Sequence, residues 1–135
     1  MRVFIISGIT LFFFMLTVAF LRFEDRPDGT SRVTLERMVF SVQPGMVDQF
    51  LDTDQRVWTT YLEQKEGFLR KEVFLNYDDS SSVTVLIYWN TPESWFNIPR
   101  KEMMQIDSVF NSQFNAEFYT LEVVEPLRIY NPSSR

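Results

Sequence analysis

The stretch VTVLIYWN, Val83 to Asn90, limits the possible folds more than any other part of this chain. It is short, rich in β-branched and aromatic residues, and runs into a turn at Asn90 and Pro92, which marks a strand rather than a helix. Successive side chains of a strand point to opposite faces. Val83, Val85, Ile87 and Trp89 therefore share one face, and Leu86 and Tyr88 share the other. A strand that is apolar on both faces belongs inside a sheet covered on both sides. Any architecture for the chain must supply two covers.

The flanking patterns supply one of them. VTLERMVFSV reads as a strand near 33–42, with Met38, Phe40 and Val42 on one face. Pro44 suits the first turn of a helix. Val47, Phe50, Leu51, Trp58, Tyr61 and Leu62 then recur at helical spacing, giving a helix near 44–65 that stops at Gly67. FLRKEVFLNY, 68–77, alternates about a charged middle as an edge strand does, so Arg70, Lys71 and Glu72 read as solvated. DDSSS is a turn, and the central strand follows near 83–90. Thr91 or Pro92 opens a short helical turn, and Pro99 starts a second helix near 99–114 with Met103, Ile106, Phe110 and Phe114 as its stripe. The last strand lies near 117–125 and is interrupted at Pro126. The order strand, helix, strand, strand, helix, strand predicts an α+β, ferredoxin-like βαββαβ sandwich with both helices on one face of the sheet. The second apolar face is left bare, and the sheet of a second copy is the simplest cover for it.

Residues Val3 to Leu21 carry no charge. As a helix they would span roughly 28 Å, about the thickness of a bilayer's hydrocarbon core. A cleaved signal would have a shorter apolar region and small residues at its exit, whereas TVAFLRFEDRP offers none at that spacing. The expected organisation is a membrane anchor over 1–23, a linker over 24–32, one domain over 33–130 and a tail over 131–135. Without Arg2 and Arg22, which flank the apolar run, 11 of the 13 basic residues face 18 acidic ones. The domain therefore lacks the basic footprint that nucleic acid requires. Cysteine and histidine are both absent, which removes thiolate and imidazole metal ligands and the commonest general base. No cofactor or metal is expected.

Trp58, EGFLRKEVF (66–74), VTVLIYWNTPESWFNIP (83–99) and the closing EVVE and RIY segments resemble a branch of the antibiotic biosynthesis monooxygenase-like domains found in photosynthetic lineages. The resemblance covers about residues 33 to 130. It implies a dimeric α/β-barrel protein in which two sheets pack face to face and each subunit keeps a cavity between its own sheet and helices. Relatives include cofactor-free oxygenases, haem-degrading enzymes, isomerases and members with no known activity, so fold alone does not choose among them. A histidine that many members carry at the start of the second helix falls near Ile98 here, which speaks against haem ligation. The lineage implies a single-pass protein of a thylakoid or plasma membrane.

The candidate pocket residues are Trp58, Tyr61, Tyr88, Trp89, Asn90 and Trp95. Each also has a plainer reading. Trp58 fits a packed helix stripe, Trp89 fits core or cavity wall equally, Trp95 fits a plug at the strand-to-helix corner, and Asn90 fits a turn cap. Glu63 and Glu66, near a helix end, could serve as a base, with a surface role as the simpler reading. Two functions follow. The favoured one is a membrane-anchored binding or structural module that forms a homodimer or docks onto a larger, photosynthetic membrane complex. The alternative is a cofactor-independent oxygenase acting on an aromatic or quinone-like molecule.

Overall fold

The structure is a computed structural model that describes residues 33–129. The expected anchor, linker and tail lie outside these residues. Among the described residues no helix is long and apolar enough to cross a membrane.

Strand β1, Thr34–Val42, leads into helix α1, which begins as Val47–Asp54, passes through a π-helical turn at Gln55–Thr59 and ends as Thr60–Leu62. Strands β2, Phe68–Leu75, and β3, Ser82–Trp89, form a hairpin. A short helix α2, Pro92–Phe96, and a longer one, α3, Arg100–Gln113, follow. A single 3₁₀ turn, Ala116–Phe118, then leads into β4, Tyr119–Arg128. The sheet is antiparallel in the order β2-β3-β1-β4. This is the expected ferredoxin-like α+β arrangement, and VTVLIYWN occupies an interior strand as its two apolar faces require.

The helices cover one face. Met38 and Val42 of β1, Val83, Val85, Ile87 and Trp89 of β3, and Leu121 and Val124 of β4 meet Phe50, Val57, Leu62, Trp95, Phe110 and Phe114 in a single core. At one end Phe50 packs edge-on against Phe110 and Phe114, with ring centroids 5.6 and 5.5 Å apart.

The strand-to-helix corner is held by local hydrogen bonds. Thr91 caps α2 by accepting from the Ser94 backbone N–H, and Pro92 occupies the first turn, where its missing donor is not needed. The Asn90 N–H donates to Gly67 O at 2.8 Å. Gly67 has φ +83°, and a Cβ there would collide with Ser94 and Asn90. It thus ends the turn after α1 for two reasons, conformational and steric.

Two expectations need correction. Pro126 does not interrupt the last strand: β4 continues to Arg128, with Pro126 opposite Glu36. β4 is an edge strand, where a missing N–H is tolerated. Lys71 is not part of a solvated edge. The pairing slips between Phe68 and Arg70, so Arg70 faces Tyr88 on the open side while Lys71 faces Ile87 on the helix side.

Candidate functional site

The hydrophobic packing between sheet and helices leaves a cavity walled by aromatic and aliphatic side chains from both layers. Its volume is about 60 Å³, the space of about four or five waters. Four charged side chains reach this wall: Glu36 from β1, Asp54 from α1, Lys71 from β2 and Asp107 from α3.

Glu36 lies two residues before Met38, so strand alternation turns it toward the helices. It is 3% exposed, and among the described residues its Oε1 has no hydrogen-bond partner. Burial pushes its pKa up to about 7, against a smaller opposing pull from the indoles of Trp89 and Trp95 and from the Lys71 charge. The Trp89 indole lies beside this carboxyl, yet its Nε1 also lacks a hydrogen bond. A carboxyl that titrates near neutrality, turned into an apolar cavity, has the properties of a general base.

Lys71 and Glu36 sit in one row across three strands, Lys71 opposite Ile87 and Ile87 opposite Glu36. Two strand spacings put their backbones about 10 Å apart. The Lys71 side chain, 5% exposed, is ion-paired with Asp54 and donates to Thr59 Oγ1 at 3.0 Å. Its charge is already matched. The π-helical turn contributes here: the wider turn carries Trp58 on the cavity wall and buries Thr59 against Lys71.

At the far wall Asp107 accepts from Asn111 Nδ2 at 3.0 Å, and Asn111 Oδ1 accepts from the Tyr119 hydroxyl at 2.9 Å. Burial raises the pKa of Asp107, offset in part by Asn111. Burial and the Asp107 charge together lift the Tyr119 phenol well above its usual range. Where α1 meets α3, Tyr61 donates to Glu102 Oε2 at 2.9 Å, and Lys65 is ion-paired with the same carboxylate. Lys65 and Tyr61 hold Glu102 below the usual carboxylate range.

Among the expected pocket residues, Trp58, Tyr61 and Trp95 line the cavity. Trp95 is also the corner plug, 3% exposed and stacked on Phe96 at 4.8 Å. Trp89 is wholly buried in the core behind the wall, edge-on to Phe68. Asn90 is exposed and accepts from Ser94 Oγ at 2.7 Å, which makes it part of the turn and not of the cavity. Tyr88 belongs to the opposite face, where its hydroxyl donates to Glu72 at 2.8 Å and Arg70 stacks on its ring. Glu63 and Glu66 are exposed and stand away from the wall. The carboxylates inside, Glu36, Asp54 and Asp107, are the ones the sequence reading passed over.

No family model matches the chain, and no curated protein matches it. Solved structures match it by shape. A candidate antibiotic biosynthesis monooxygenase from Bordetella bronchiseptica aligns at TM-score 0.60 and 12% identity, over 73% of this chain and 98% of that one. SnoaB, a cofactor-independent oxygenase from Streptomyces nogalater, aligns at TM-score 0.52 and 13% identity, over 74% and 93%. MupZ from Pseudomonas fluorescens aligns at TM-score 0.52 and 10% identity, over 70% of each chain. The described domain has the fold of the antibiotic biosynthesis monooxygenase proteins. At these identities the likeness is one of fold.

Proposed function

We propose that the chain binds a small hydroxyaromatic molecule in the cavity between sheet and helices, and that Glu36 removes its acidic proton so that the anion reacts with O2 without a cofactor. The observation that carries this reading is the buried carboxyl of Glu36, with an unpartnered oxygen in an aromatic-lined cavity and a pKa of about 7. The ligand's O–H bond breaks, the proton passes to Glu36 and the electron pair stays on the ligand. O2 then oxidises the electron-rich ring to a quinone: one oxygen atom becomes a second C=O at a ring C–H carbon, and the other leaves as water with that hydrogen and the proton held by Glu36, so the ring supplies all four electrons. The cofactor-independent activity named for SnoaB, which shares the fold, supports this chemistry. The test is oxygen uptake by the full chain with a panel of monocyclic hydroxyaromatics. Uptake that Glu36→Gln abolishes while the variant still binds the same compound supports the reading. Uptake unchanged in Glu36→Gln refutes it.

A second reading rests on the open face of the sheet. Leu35, Val39, Leu86 and Val123 lie there with Phe74, 48% exposed, and Leu127, 39% exposed. We propose that this face binds a second copy or a membrane complex, with the apolar run 3–21 as a single-pass anchor in a thylakoid or plasma membrane. Light scattering of the full chain in non-ionic detergent should give a dimer or larger complex that Leu86→Glu reduces to a monomer. A monomer in both proteins refutes it.

A further inference from the structure

The charges around the cavity do not balance. Among the described residues Lys71 is the one cation on its wall, and Asp54 already pairs with it. Glu36 and Asp107 are left, among the described residues, as two carboxyl groups without an ion pair, one on each layer, with Glu36 feeling the Lys71 charge only weakly. Among the described residues no three such side chains converge closely enough to hold a metal ion, so their charge is not arranged for an inorganic cation. The rest of the wall is largely rings, among them Trp58, Tyr61 and Phe110, whose faces attract a cation and repel an anion.

We infer that the cavity selects its ligand by charge, taking a single aromatic ring that is neutral or carries a protonated nitrogen and rejecting one that carries a carboxylate. The inference rests on the small-molecule reading above and narrows it. An anionic ligand would meet two carboxyls and no free cation in a poorly solvated space, where like charges repel far more strongly than in water. A neutral hydroxyaromatic adds no charge on entry. Transfer of its proton to Glu36 only moves one negative charge from carboxylate to ligand, so the total inside the cavity stays constant. A protonated amine supplies the missing counter-ion outright. The titratable groups on the wall are Glu36 from β1, Asp54 and Tyr61 from α1, Lys71 from β2, Asp107 from α3 and Tyr119 from β4, while β3 and α2 contribute only Ile87 and Trp95.

Benzylamine, benzyl alcohol and benzoate share one ring and differ in charge, and calorimetric titration of each into the full chain at pH 7.5 tests the inference. Benzylamine and benzyl alcohol should bind at least about tenfold more tightly than benzoate. The gap should shrink at pH 5, where Glu36 is protonated and benzoate is still an anion, and in a Glu36→Gln, Asp107→Asn double variant. The pH series needs no mutation, so it decides the matter even if the variant misfolds. Benzoate binding as tightly as benzyl alcohol at pH 7.5 overturns charge selection and leaves a small-molecule site standing. Binding of none of the three overturns both this inference and the reading on which it rests.

Discussion

Glu36→Gln should make the domain more stable at alkaline pH and leave it unchanged in acid. Glu36 is 3% exposed, and its pKa moves from 4.5 to about 7 in the folded chain. The folded state therefore holds a proton that the unfolded state releases. Below pH 4.5 both states are protonated and Glu36 costs nothing on this account. As pH rises from 4.5 to about 7 the unfolded chain ionises first, and stability falls. Above that window the full difference is lost, about 3 kcal/mol at 1.36 kcal/mol for each pKa unit. Glutamine fills nearly the same space without the charge. The measurement is urea unfolding of the full chain in non-ionic detergent at pH 4.5, 6 and 8, for wild type and variant. Any constant difference between amide and carboxyl cancels when pH values are compared. The variant should gain about 3 kcal/mol on wild type between the two ends of that range. A difference curve that is flat across it would show that Glu36 is solvated or paired, and the argument for a general base would fall with it.

Four further substitutions probe the surroundings. Lys71→Met strands Asp54, whose side chain is 12% exposed, and should destabilise the domain by about 3–5 kcal/mol in urea unfolding. A loss under 1 kcal/mol would place the pair in solvent. Gly67→Ala should cost at least about 1–2 kcal/mol for the positive φ alone, and more for the collision with Ser94 and Asn90; a neutral result would refute the tight corner. Trp95→Ala should cost about 3–5 kcal/mol as a large-to-small core change. Asn90→Ala, at an exposed turn position, should stay within about 1 kcal/mol, and thermal melts compare the two directly.

The fold was legible because its strongest signals are periodic. VTVLIYWN alternates two apolar faces and could only be interior, and the stripes of α1 and α3 repeat at helical spacing. Part of the site was legible too, and passed over. Glu36 lies two residues before Met38, on the face already read as core. Asp54 stands between Phe50 and Trp58, four residues from each, within the stripe of α1. A charge in an apolar pattern looks like a break in it, and neither residue carries a local signal that it faces a cavity. Lys71 is different. Alternation from Phe68 inward would turn Arg70 in and Lys71 out, and only the slip in pairing after Phe68 reverses them. A one-residue slip exchanges the two faces of a strand. It depends on how β2 meets β3, which no local pattern in β2 encodes.

An unpaired buried carboxyl is a poor way to stabilise a domain. The burial that raises the pKa of Glu36 also weakens the fold at neutral pH, and a leucine or methionine on β1 would avoid that cost. The two other charged groups nearest the sheet show the contrast. Asp54 and Lys71 are buried together, each the partner of the other, with Thr59 as a further acceptor for Lys71. The arrangement that satisfies one carboxylate leaves its neighbour without an ion pair. Packing cannot explain this, since the core is otherwise continuous around Trp89, Phe50 and Phe110. A ligand's acidic proton can explain it, because it would supply the hydrogen bond that Glu36 Oε1 lacks. On that view the cavity and the destabilising carboxyl are one feature, and the stability gained in Glu36→Gln should match a loss of turnover in the same variant.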